Sequence, residues 1–172
     1  LLAALAPVVL TPLGGGSPLL SAAGRWREPV GIVLHLDGLA WLASAAGLLV
    51  AFCALLFAAN EGSHPPSYYF FFLLLVFGMQ GVILTGDVFN LFVFLEAVSI
   101  ASYILIAQAG KPQSVLAALR YLMIASLGMV FFLLGAFLFY RALGTLSLRS
   151  LAASFTAAAP ATRRELELAV TC

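Results

Sequence analysis

Long uncharged apolar runs, separated by short polar breaks, dominate the chain. Gly38–Ala59 carries no charge. Tyr68–Gln108 stays apolar for far longer than one membrane crossing of about 17–25 residues, so it has to fold back on itself. The break falls at Thr85-Gly86-Asp87, where glycine supplies turn geometry and the aspartate can cap the helix that follows. A second turn, Gly110-Lys111-Pro112-Gln113, leads into another apolar run from Ser114 to about Tyr140. The pattern predicts an all-α integral membrane protein, a polytopic bundle with full transmembrane helices near 38–59, 68–86, 88–108 and 114–140. Helices satisfy their own backbone hydrogen bonds in lipid, and the runs do not alternate in polarity as β-barrel strands of about 10 residues would.

The flanking segments fill in the rest. Pro29–Leu36, β-branched at Val30, Ile32 and Val33, reads as a short extramembrane strand, with Asp37 as the N-cap of the first full helix. Arg141–Arg164 is Ala/Ser-rich and reads as a partly helical loop. Leu1–Leu13 is apolar, too short to span, and without a basic n-region, so the expectation is the tail of a truncated helix. Glu167–Cys172 reads as another apolar segment beginning. The chain is therefore expected to be one transmembrane domain, residues 1–172, cut at both ends. Ala43, Gly47 and Ala51 recur every fourth residue and predict a face for close helix approach, a role that Gly128 and Gly135 could share.

Composition agrees with a membrane protein. Charged residues make up 9% of the chain, 63% is hydrophobic, and the mean hydropathy is +1.12. A soluble domain carries about 25% charged residues, which is what covers a water-facing surface. A net charge of +1 points to no nucleic acid. Cys53 and Cys172 form neither a disulfide framework nor a metal spacing, and His35 and His64 sit in separate loops, so no metal or haem is expected.

The candidate chemistry lies between Thr85 and Ala107. Glu96 is the only charged side chain at mid-membrane depth, about 12 Å in from Val88 and about 18 Å from Gln108. A carboxylate there is costly, cannot reach either interface, and points to function. Ser99 and Tyr103 fall within about 60° of it on a helical wheel, a polar stripe able to hold water and pass protons. Its alternative role is a structural glutamate bonded to a neighbouring helix. Arg120 is a second candidate, with an expected depth gap of about 9 Å to Glu96 that water could bridge, or else an arginine snorkelling to the interface. Capping and turn formation account for Asp37 and Asp87; Gln80 and Asn90 are weaker candidates.

Leu84-Thr85-Gly86-Asp87-Val88-Phe89-Asn90-Leu91-Phe92-Val93-Phe94-Leu95-Glu96, followed by Ser99-Ile100-Ala101-Ser102-Tyr103, resembles the D-type subunit of Mrp-type multisubunit Na⁺/H⁺ antiporters. That family is homologous to the antiporter-like, proton-translocating subunits of complex I. Ala118-Leu119-Arg120-Tyr121-Leu122, Leu133-Leu134-Gly135, Gly144-Thr145-Leu146 and, upstream, Gly31-Ile32-Val33-Leu34 with Asp37 extend the resemblance over about residues 24–150. It implies that the four spans are the family's third to sixth helices and that Glu96 is the glutamate of the proton path. The usual partner is a lysine on the seventh helix, which this chain does not reach. Arg120 stands where relatives often have Lys, and an arginine stays protonated, so no proton transfer is assigned to it.

The implied protein is a multi-pass subunit in the plasma membrane of a prokaryote, joined in a hetero-oligomer with other antiporter subunits and exchanging H⁺ for Na⁺ or a similar monovalent cation. It is an ion transporter subunit, not an enzyme, and needs no cofactor of its own. The alternative is the proton-pumping membrane arm of a complex I-type oxidoreductase or a membrane-bound hydrogenase. Arg25, Arg27, Arg141 and Arg149 fall on the Asp87 side, against Lys111 and Arg120 on the other, which by the positive-inside rule makes the Asp87 side cytoplasmic. The family resemblance implies the opposite orientation, with that side outside.

Overall fold

The computed structural model describes residues 19–22, 33–62 and 64–157. The terminal apolar segments, Arg25, Arg27, Cys172 and the far part of the 141–164 loop lie outside the described residues.

Strands β1 (Leu19–Ala22) and β2 (Val33–Leu36) form an antiparallel pair, with Leu19 opposite Leu36 and Ala22 opposite Val33. The expected strand at 29–36 is present over 33–36, and His35 belongs to it rather than to a loop. Helices follow in the order α1 (Gly38–Asn60), α2 (Pro66–Leu84), α3 (Val88–Ala107), α4 (Pro112–Leu143) and the short α5 (Leu148–Ala157). The first four are each long and apolar enough to cross a membrane.

Their ends follow from local chemistry. The Asp37 carboxylate accepts from the Ala40 N–H at 2.7 Å and starts α1. Pro66 and Pro112 begin α2 and α4 two residues before the expected starts, because proline at the first helical position lacks only a hydrogen that has no intrahelical partner. α4 runs on to Leu143 and stops where Gly144 takes the left-handed conformation (φ 69°) and donates to the Tyr140 carbonyl at 2.8 Å.

α3 sits between α2 and α4. On the α2 side, Gly78 and Gly81 let the backbones close in. A Cβ on Gly78 would stand 2.7 Å from Val98 Cγ2, and one on Gly81 would collide with the Phe94 ring. On the other side, the inner face of α4 repeats as Ala118, Leu122, Ala125, Met129, Phe132 and Ala136, all at least half-buried, in alternating steps of four and three. That is a heptad seam, suited to near-parallel helix packing. The expected small-residue face of α1 does turn to α2, where Gly47 and Ala51 line an apolar groove of about 390 Å³ and Gln80 Nε2 donates to the Ser44 carbonyl at 3.3 Å. Gly128 and Gly135 do not serve close packing among the described residues, since a Cβ at either would meet nothing within 4 Å there.

Candidate functional site: a glutamate in the third spanning helix

The Thr85–Asp87 break is extended backbone whose polar groups are all but fully used. Thr85 N–H closes α2 on the Gly81 carbonyl at 2.9 Å. Thr85 Oγ1 donates to the Asp87 carbonyl at 3.3 Å. The Asp87 carboxylate then accepts from the N–H groups of Phe89 (2.8 Å) and Asn90 (3.1 Å), as expected of an N-cap. Segments from elsewhere in the chain bind the break on both sides. Leu34 of β2 bridges Thr85. Opposite it, Val88 N–H donates to the Leu146 carbonyl and Leu148 N–H to the Gly86 carbonyl, each at 2.9 Å, with Asp87 paired to Ser147. Thr85, Gly86, Asn90 and Ser147 are buried there.

From this base α3 carries Glu96 to mid-span. Its side chain is half-buried and, among the described residues, takes no hydrogen bond and no ion pair. At about 100° per residue, Phe89, Val93 and Ile100 fall within about 60° of it. Those three are 51%, 46% and 38% exposed. On the other side of Glu96, also within about 60°, Phe92 stacks on Phe132 of α4 and Ser99 is buried, so Glu96 stands at the edge between an exposed apolar strip and the α3–α4 seam. The α2 contacts, through Phe94 and Val98, are on the opposite face.

Ser99 (8% exposed) and Tyr103 continue the stripe along the α3–α4 side. Tyr103 lines an open apolar groove of about 460 Å³ with Gln108, Ala118 and Leu122 at the Lys111 end of the helix pair. Ser102, one position off the stripe, donates to the Val98 carbonyl at 2.7 Å and is spent on the helix itself.

Arg120 is not brought to this group. It is exposed, and at about 100° per residue it points some 160° away from Ala118 on the buried seam, on the outer face of α4 among Leu116, Leu119, Met123 and Ile124. The structure therefore gathers Glu96, Ser99 and Tyr103 on one side of α3, leaves Asp87 as the cap at its foot, and turns Arg120 outward. Sequence reasoning missed the hold on Gly86: a Cβ there would collide with Cδ2 and Nε2 of His35. The only sequence signal was a glycine between two hydrogen-bonding residues.

A family model described as "NADH:quinone oxidoreductase/Mrp antiporter, TM" matches residues 85–170, from the break onward. The chain belongs to this family. It is 40% identical over 149 residues to a probable K⁺/H⁺ antiporter D-type subunit of Rhizobium meliloti, covering 84% of this chain and 27% of that protein. It is 39% identical over 132 residues to a Na⁺/H⁺ antiporter D-type subunit of Alkalihalophilus pseudofirmus, covering 75% of this chain and 27% of that protein. Among solved structures it resembles a chain of the archaeal membrane-bound sulfane sulfur reductase (TM-score 0.76, 35% identity, 83% of this chain and 30% of that one). It also resembles a chain of the Mrp complex from Dietzia (TM-score 0.72, 27% identity, 90% and 32%). The chain thus spans less than a third of these relatives.

Proposed function

We propose that this chain forms part of the proton path of a multisubunit monovalent cation/proton antiporter, and that Glu96 takes up and releases the proton. The observation that carries the reading is a carboxylate at the middle of α3, without a charged partner among the described residues, beside Ser99 and Tyr103. A bundle that only packed helices would have no use for so costly a group. Na⁺ and K⁺ both appear in the names of similar subunits, so the cation is of that class. The protein would work in a prokaryotic plasma membrane, assembled with other antiporter subunits, and would catalyse no redox step itself.

Glu96→Gln in the full-length assembly keeps size and hydrogen bonding but removes the titrating group. Na⁺- or K⁺-driven proton movement in vesicles should fall to the level of vesicles lacking the complex, while the complex still assembles. Glu96→Asp, shorter by one methylene, should fall between the two. Wild-type transport by the Gln variant across the pH range would make Glu96 structural. A second reading, a proton-pumping membrane subunit of a redox complex, is favoured by the likeness to the sulfane sulfur reductase chain. Proton movement driven by electron donors instead of a cation gradient would select it.

A further inference from the structure

The hairpin and the Glu96 helix meet at one point. β2 crosses the break, pairing Leu34 with Thr85, and the next residue, His35, lays its ring where a side chain on Gly86 would be. Gly86 is buried and is followed directly by the Asp87 cap of α3. β2 in turn runs into Asp37, the cap of α1, so the hairpin is tied to the feet of two spanning helices. On its far side the break is bonded to Leu146 and Leu148, which fixes it to the end of α4 and the start of α5.

We propose that His35 is a positioning residue for Glu96: seated on Gly86, it sets where the first turn of α3 stands, and the stiff helix carries that placement to the carboxylate. The inference rests on Glu96 being the proton carrier. A helix transmits displacement along its length because each turn is bonded to the next, and Glu96 is only about 12 Å along α3 from Val88, the first helical residue after the break. Proton transfer depends steeply on the separation of the groups involved, so an error of about 1 Å at the foot of the helix is felt at the site. Glycine at 86 is required because the ring takes up the space of a Cβ, not because of its backbone angles.

The test is a double-mutant cycle in the full-length assembly, read as cation-driven proton movement in vesicles, with the amount of assembled complex measured alongside. Gly86→Ala and His35→Ala should each lower the maximal rate by about tenfold with the apparent cation affinity unchanged. The combined variant should be no worse than His35→Ala alone, because the new methyl group enters the space the ring left. His35→Phe, which keeps a ring, should stay within about threefold of wild type and keep its pH profile. If Gly86→Ala fails to assemble, recovery of assembly by adding His35→Ala reads the same contact. Full activity of Gly86→Ala, losses that multiply in the combined variant, or a His35→Phe protein as poor as His35→Ala would each overturn the proposal. Glu96→Gln measured in the same vesicles separates the two ideas: transport by that variant with the cycle intact would remove Glu96 as the carrier and leave the contact standing.

Discussion

Phe92 of α3 stacks on Phe132 of α4, with ring centroids 6.3 Å apart and planes 24° from parallel. The two helices run antiparallel, so this pair sets their register. Four residues down α3 and four back along α4 bring Glu96 level with Gly128. The same stepping brings Ile104 level with Arg120, roughly two helical turns or about 12 Å from the carboxylate along the bundle axis. The expected gap was about 9 Å, counted from Ser114; the aromatic pair, not the distance from the helix start, sets the level.

Arg120 therefore stands about one turn from the level at which α3 ends, on an outward face. Its long side chain can carry the guanidinium to the interface. Arg120→Gln is expected to leave cation-driven proton movement within about threefold of wild type in the full assembly, since interfacial charges of this kind contribute little. A loss as complete as that of Glu96→Gln would show that the cation serves the proton path despite its place.

Asp87 accepts two backbone hydrogen bonds and so has structural work that needs no charge transfer. Asp87→Ala should destabilise the foot of α3 by about 1 kcal/mol, seen as a lower melting temperature in detergent. Asp87→Asn accepts the same bonds and should recover most of that stability and most of the transport. Should the Asn variant be as stable as wild type yet inactive, the carboxylate would have a second role that capping does not explain.

The small residues give a contrast between positions of one type. Gly81→Ala puts a methyl group into the Phe94 ring, which already makes an edge contact with Phe77, one turn earlier on α2 (centroids 5.9 Å apart, planes 67°). Relief would have to come from separating α2 and α3, at a cost of about 1–3 kcal/mol. Gly128→Ala meets no atom of the described residues within 4 Å and should not destabilise, since alanine in a helix interior is favoured over glycine by about 0.5–1 kcal/mol. Thermal unfolding of the two variants side by side would decide the matter; equal losses would mean that a further helix packs on Gly128.

What was legible in the sequence was whatever depends on near neighbours. Uncharged runs marked the spans, and Asp37 and Asp87 marked two helix starts through bonds spanning three residues or fewer. The prolines at 66 and 112 misled by two residues because the expectation counted them as turn and began the helices at Tyr68 and Ser114, whereas each helix begins at the ring. The mid-membrane place of Glu96 was legible for the same local reason. Its neighbours across helices were not: that Arg120 points outward depends on which face of α4 forms the seam, and the seam is read only when the burial of Ala118 and Ala136 is known. The clamp on Gly86 joins residues 34–35, 85–88 and 146–148, three segments with no shared pattern in the chain.

The final prediction concerns sidedness. Bonds between the hairpin, the break and the α4–α5 turn place Asp37, Asp87 and Ser147 at one end of the bundle. α1 and α3 run from that end, so Glu61 and Lys111 stand at the other, joined to it by helices of 23 and 20 residues. At 1.5 Å per residue each is about 30 Å or more, enough to cross the hydrocarbon core. Single cysteines at Glu61 and Lys111 should react with a membrane-impermeant thiol reagent from one side, and cysteines at Asp37 and Arg141 from the other. Labelling of Lys111→Cys and Arg141→Cys from the same side would break the spanning arrangement. The side on which Arg141→Cys reacts also chooses between the two orientations: reaction from outside intact cells agrees with the family resemblance, whereas reaction only after the inner face is opened agrees with the excess of arginines at that end.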